Sequence, residues 1–204
     1  MKQFTVHTGT GVPLRRGNVD TDQIIPVRFL THSSRTGHAD ALFADWRDDP
    51  SFVLNRPEHR GATILVAGTE FGTGSSREYA VWALQDYGFR CVIAPRFGDI
   101  FRENALMNGL LALVLPAAVV ERLWDLVEDD PRVPITVDLE RLRVRCAGVD
   151  EPFSLDEEIR ARLLSGLDPV METLGHHEEI SDYERRRRPT LPTTTALLDG
   201  PLPA

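Results

Sequence analysis

Between Thr63 and Leu115 the chain repeats one pattern that leaves few folds open to it. Thr63-Ile64-Leu65-Val66-Ala67 is an unbroken apolar run, as a strand buried on both faces needs. After the glycine-bearing segment Gly68–Gly74, the stretch Ser76–Asp86 and the residue after it carry Tyr79, Ala80, Ala83, Leu84 and Tyr87 at helical spacing, and Gly88 stops it. Cys91-Val92-Ile93-Ala94 is a second apolar strand. Phe97–Asn108 reads as a second helix ended by Gly109, Leu110–Leu115 as a third strand, and Pro116 opens a third helix through Glu128. Strand, helix, strand, helix, strand predicts a parallel α/β unit, because parallel neighbours need a crossover.

The flanks read differently. Phe4 and Val6 alternate as in a strand, with Gly9-Thr10-Gly11 as a turn. Asp20 or Thr21 starts a short helical turn that Pro26 closes. From Leu30 to Pro57 the text is irregular apart from a short helix over Ala39–Arg47, and so long a loop is usually functional or mobile. After Pro131, the runs 135–138, 142–146 and 151–154 predict antiparallel strands. A helix follows over Asp156–Ser165 before Gly166, with one more turn opened at Asp168-Pro169. From His176 the chain is polar, then basic at Arg185–Arg188, then rich in Pro and Thr. Residues 190–204 read as a disordered tail.

Composition closes several routes. The 204 residues are 42% hydrophobic and 26% charged, an ordinary globular mixture rather than that of a fibre or a disordered chain. The formal net charge is −8, which opposes whole-surface contact with nucleic acid. The longest apolar run, Leu110–Val120, is broken by Pro116 and falls short of the ~20 residues a membrane-spanning helix needs. No apolar core follows Met1-Lys2, so no secretory signal is expected. The two cysteines, Cys91 and Cys146, stand far apart with no Cys-x-x-Cys. They predict buried thiols in a reducing cytoplasm and no metal site on this chain.

The chemical signal lies in Gly68-Thr69-Glu70-Phe71-Gly72-Thr73-Gly74-Ser75-Ser76-Arg77-Glu78, between a buried strand and a helix start. Small residues let a bound group approach the backbone, and helix-start N–H groups favour an anion. Arg77 adds a planar fork suited to carboxylate or phosphate. The string lacks the Lys of a P-loop, the third glycine of a dinucleotide loop and the Gly-x-Ser-x-Gly of a hydrolase elbow. Ser75-x-x-Glu78 also has the spacing of a helix-capping box. Capping and anion binding coexist if Ser76 caps and Ser75 stays free.

Longer strings narrow the choice. Gly72-x-Gly74-Ser75-Ser76-Arg77-Glu78-x-Ala80, the earlier Asn18-Val19-Asp20-Thr21-Asp22-Gln23-Ile24-Ile25-Pro26, and the later Phe97-Gly98-Asp99-Ile100-Phe101-Arg102-Glu103-Asn104-Ala105-x-x-Asn108-Gly109 stand in that chain order. They resemble the signatures of the small-subunit domain of the aconitase superfamily. As a free-standing chain with Ile180-x-x-Tyr183-Glu184 in its tail, the sequence is most similar to the small-subunit family of bacterial 3-isopropylmalate dehydratases. The resemblance implies a swivelling β/β/α domain over residues 1–175, with mixed, barrel-like β layers and helices on one side, followed by an extension over 176–204. It implies a separate large subunit carrying a 4Fe–4S cluster on three cysteines, with none bound by this chain. The implied reaction is dehydration and rehydration of a small dicarboxylic acid, 2-isopropylmalate to 3-isopropylmalate through 2-isopropylmaleate, in leucine biosynthesis.

Roles carried over by motif are Ser75 as the base and Ser76 and Arg77 as carboxylate ligands, with Gly72 and Gly74 shaping the loop. Arg28 is either the ligand of a second carboxylate or a solvated loop arginine. Leu30 or Phe29 either meets the isopropyl group or belongs to the core. Asp20 and Asp22 orient site residues or cap a helix, with Asp22 the expected cap. Asn104 and Asn108 read as turn residues rather than site residues. His176-His177 with Glu178-Glu179 is disfavoured as a metal site, since adjacent side chains on a helix diverge. Arg185–Arg188 reads as a solvated or partner-facing run. Two rivals stay open: the same chemistry on a homoaconitate- or citraconate-type acid, and a non-enzymatic anion-binding regulatory module.

Overall fold

The computed structural model describes residues 1–30, 34–75, 77–188 and 190–191. The chain divides into two units, Met1–Asp168 and Pro169–Ala204. In the first, β1 (Val6–Gly9) and β2 (Gly11–Leu14) are followed by β3 (Val19–Asp20) and the short helix α1 (Thr21–Ile24). The segment 27–59 holds four 3-10 turns and α2 (Ala44–Arg47). Then come β4 (Ile64–Ala67), β5 (Phe71–Thr73), α3 (Glu78–Tyr87), β6 (Cys91–Ala94), α4 (Asp99–Met107), β7 (Leu111–Val114) and α5 (Ala117–Asp129). Strands β8 (Ile135–Asp138), β9 (Arg143–Cys146) and β10 (Val149–Pro152) and helix α6 (Glu157–Ser165) complete it. The second unit comprises α7 (Pro169–Leu174) and α8 (His177–Arg186), neither of which buries a side chain.

The parallel sheet runs in the order β2-β4-β6-β7 and the antiparallel sheet in the order β1-β8-β9-β10. Apolar runs such as Ile64–Ala67 and Cys91–Ala94 are unbroken because both faces of the parallel sheet are covered. Alternate residues feed two cores. Leu65, Ala67, Val92 and Ala94 face a cluster with α3 and the 39–54 segment, while Ile64, Val66, Cys91 and Ile93 face one shared with β8, β9, α5 and α6. Helix α5 joins the second cluster through Val120, Leu123 and Val127 on one stripe. Its Trp124 indole N–H donates to the Val66 carbonyl at 2.7 Å.

Four local expectations give way. Gly9-Thr10-Gly11 is no turn: the chain runs straight from β1 in one sheet to β2 in the other. Gly9 is there for space, since a Cβ would lie 2.0 Å from the Thr63 hydroxyl oxygen. The helix expected over Ala39–Arg47 splits into a 3-10 turn and α2, because Phe43 (φ 48°) turns its fully buried ring into the core. The described part of the irregular stretch, residues 34–57, is a packed layer, with Leu42, Phe43, Phe52 and Leu54 in the first core and Trp46 stacked on Phe43. Helix α8, which lay in a stretch read only as polar and basic, carries an Asp182–Arg185 ion pair one turn apart. Residues 192–204, most of the expected tail, lie outside the described residues.

Candidate active site

The three motifs meet because β3 and β5 pair. This parallel ribbon joins Val19 to Phe71 and Asp20 to Thr73, and so lays the early motif against the glycine loop. The Asn18 amide donates to the Thr69 carbonyl (2.8 Å) and the Gly68 amide to the Arg16 carbonyl (3.1 Å). On the other side, Phe71 donates its amide to the Arg96 carbonyl (3.1 Å) and accepts from the Gly98 amide (2.9 Å). The glycines permit this closeness. A Cβ at Gly98 would stand 2.4 Å from the Gly72 carbonyl oxygen, and one at Gly72 (φ +78°) would stand 2.2 Å from the Phe101 ring. Gly72, Thr73, Gly74, Gly98, Asp99 and Ile100 line a cleft of about 250 Å³.

Ser75 follows Gly74 (φ +85°) between β5 and α3, and its side chain is exposed. The buried Thr21 hydroxyl donates to the Ser75 carbonyl at 2.6 Å. Among the described residues, none hydrogen-bonds the exposed Ser75 hydroxyl. The Ser75/Glu78 capping box does not form. Helix α3 begins at Glu78 with Arg77 as N-cap and no side-chain cap bond. Glu78 instead accepts from the Asn108 side-chain amide at 2.7 Å, which ties the start of α3 to the end of α4. Asn108, the C-cap of α4, also donates to the Asn104 carbonyl and accepts from the Trp82 indole, while Asn104 itself lies within α4. Ser76 lies outside the described residues.

Asp22 is not the cap; Asp20 is. The Asp20 carboxylate accepts from the Gln23 amide (2.8 Å), and the Gln23 side chain accepts from the Asp20 amide (2.9 Å). This releases Asp22, in the first turn, to pair with Arg77: the guanidinium donates to its carboxylate at 2.6 Å. Early motif and glycine loop are thus joined by a charge pair as well as by strands. Arg77 is held by this pair with its side chain 29% exposed.

Arg28 stands apart from this cluster. It is exposed, pairs with Asp45 at 2.5 Å and lies over the Phe29 ring at 4.8 Å. Leu30 and Phe29 are half-buried against the first core, so the core half of their reading is realised in this structure. Residues 31–33, the continuation of that loop, are outside the described residues. The sequence reading missed β5 and Thr21. The one signal for β5 was the apolar Phe71 inside a glycine-bearing segment, too short to separate from loop.

Among the described residues no group of three His, Cys, Asp or Glu could hold a metal ion. Cys91 lies in the parallel sheet and Cys146 in the antiparallel one, and burial pushes both thiols up from their ordinary pKa, away from the thiolate a ligand needs. The residues described here therefore do not fit an iron–sulfur cluster. Nor, among them, is any helix long and apolar enough to cross a membrane.

Comparison with known proteins identifies the family. The family model of the aconitase C-terminal domain matches residues 1–118, more than half of the chain. A 3-isopropylmalate dehydratase small subunit from Acidothermus cellulolyticus is 63% identical over 96% of this chain and 100% of its own length. One from Thermobifida fusca is 58% identical over 95% and 100%. The crystal structure of a 3-isopropylmalate dehydratase from Methanocaldococcus jannaschii superposes with a TM-score of 0.64 at 25% identity, covering 88% of this chain and 99% of that one. On this evidence the chain belongs to the aconitase C-terminal domain family and, within it, to the small subunits of 3-isopropylmalate dehydratase.

Proposed function

We propose that this chain is the small subunit of a heteromeric hydro-lyase that converts 2-isopropylmalate to 3-isopropylmalate through 2-isopropylmaleate, in a reducing cytoplasm. The observation that carries this is an exposed serine hydroxyl beside a tethered arginine, on a glycine cradle where three motifs converge, in a member of this family. A partner large subunit holds a 4Fe–4S cluster, and when bound that cluster supplies a Lewis acid for the departing hydroxyl.

This chain supplies the proton chemistry and the grip on substrate. Dehydration removes a proton from the carbon next to a carboxylate, and Ser75 Oγ takes it. A serine hydroxyl is ordinarily neutral, so its anion needs nearby positive charge. The N-terminal dipole of the ten-residue helix α3 and the Arg77 guanidinium provide it. Rehydration returns the proton from the same oxygen to the neighbouring carbon. Arg77 meets a substrate carboxylate with its outer edge while Asp22 holds the inner one, and Ser76 adds a hydroxyl donor. Arg28 exchanges Asp45 for the second carboxylate, and Leu30 lies at the isopropyl end.

The test is reconstitution with the large subunit. Ser75→Ala should assemble normally and lose ~10²–10⁴-fold in kcat, the usual worth of a positioned base. Near-normal turnover by that complex would overturn the assignment and favour a non-enzymatic anion-binding role. A substrate panel in the same assay checks the acid: no preference for the isopropyl compound over homoaconitate- or citraconate-type acids would overturn the specificity.

A further inference from the structure

We infer that Thr21 is a positioning residue for Ser75, a role that rests on the reading of Ser75 as the base. Thr21 is 1% exposed, and its hydroxyl donates at 2.6 Å to the Ser75 carbonyl, 54 residues away in sequence. This is the one hydrogen bond that Ser75 makes to a described residue. The backbone around Thr21 is held by hydrogen bonds and burial. It opens α1 beneath the Asp20–Gln23 capping box, and its own carbonyl accepts the Ile25 amide at 2.9 Å. Ile24 and Ile25 are fully buried, and the Ile24 carbonyl accepts the Phe43 amide at 2.7 Å.

Ser75 by contrast sits in an exposed loop after a glycine at positive φ, where little else limits its backbone. Carbonyl and side chain leave the same Cα. Drawing the carbonyl inward onto that buried donor leaves the side chain to the outer, exposed side of the loop. Threonine suits the task because its branched side chain has few χ1 choices, so the donor points one way. A group displaced by ~1 Å loses on the order of 10²-fold in rate, which is the scale on which such a tether acts.

The test compares Thr21→Val, which keeps the shape but removes the donor, with Thr21→Ser, which keeps the donor. Both are assembled with the large subunit and measured per mole of complex. Thr21→Val should lose roughly 10–100-fold in kcat with KM changed less than about twofold, while Thr21→Ser stays within about threefold of the parent. In the full chain alone, hydrogen exchange of the 71–75 segment should quicken in Thr21→Val, with 91–94 unchanged. A purely structural role would lower the melting temperature and the yield of complex but leave kcat per complex intact. Normal kcat in Thr21→Val alongside an inactive Ser75→Ala overturns the tether alone, whereas normal kcat in Ser75→Ala overturns the reading of the base and the tether with it. If Thr21→Val does not fold, Thr21→Cys carries the test: its weak donor should give reduced kcat, and full kcat refutes the proposal.

Discussion

Replacing Gly98 with alanine adds one methyl group at the point where the cradle has least room. That Cβ would lie 2.4 Å from the Gly72 carbonyl oxygen, 3.0 Å from its carbonyl carbon and 3.2 Å from Thr73 Cα. All three are backbone atoms, so no rotamer change relieves the contact. Ordinary van der Waals contact begins at 3.4 Å, so the β5 backbone must move by about 1 Å. The intrinsic preference of the site runs the other way. Gly98 has φ −62° and ψ 132°, which alanine adopts freely and with less entropy to lose, worth about 0.4–1 kcal/mol in its favour. Overpacking of this kind costs about 1–3 kcal/mol, so the net is a loss of roughly 0–2.5 kcal/mol. At about 2–4 °C per kcal/mol for a unit of this size, the melting temperature should fall by no more than about 10 °C.

Turnover should suffer more. Thr73 is two residues from Ser75, and a 1 Å misplacement there is worth on the order of 10²-fold in kcat. The assay is kcat of the reconstituted complex beside thermal melting of the chain alone. Gly61→Ala serves as the control, because Gly61 has φ +79° with nothing within 4 Å of an added Cβ. It should pay only backbone strain, about 1–2 kcal/mol, with normal kcat. Parental kcat in Gly98→Ala would refute the account of the cradle.

Two further outcomes follow from the same geometry. Asp22→Asn removes the charge partner of Arg77; the pair is partly solvated, so thermal stability should change by less than about 1 kcal/mol. KM should nonetheless rise several-fold as the guanidinium loses its orientation, and an unchanged KM in steady-state kinetics would show that Arg77 needs no tether. The pH dependence of stability reports His59 and His7, whose pKa values burial holds below the ordinary 6.5, with Arg90 and Lys2 adding to the effect at His7. The unfolded chain then binds more protons than the folded one once the pH drops below about 6.5, so stability falls there and levels off below the folded pKa values. Urea midpoints from pH 8 to pH 5 should show this decline, and His59→Gln should shrink it. A flat profile in the parent would contradict the burial argument.

The strand–helix–strand core was legible because its apolar runs and helical stripes are local and long, and burial on both faces leaves no room for polar interruption. The signature strings, too, were visible one by one, and so was Ser75. Their assembly into a site was not. β5 is three residues long and looks like loop until it pairs with β3, and that pairing rests on contacts between residues about fifty positions apart. Capping went astray for a related reason. Ser75, Glu78, Asp20 and Asp22 are all competent cap residues by type, and only tertiary neighbours decide among them: Asn108 claims Glu78, Arg77 claims Asp22, and Asp20 is left to cap α1. Arg28 and Leu30 show the same limit, since an exposed loop arginine goes to whichever carboxylate the fold brings near, here Asp45. Local pattern determines which segments become strands and helices, because hydrophobic periodicity is carried by neighbours in the chain. Which hydroxyl is left free and which charge is held is decided by groups far apart in sequence, whose meeting only the folded chain provides.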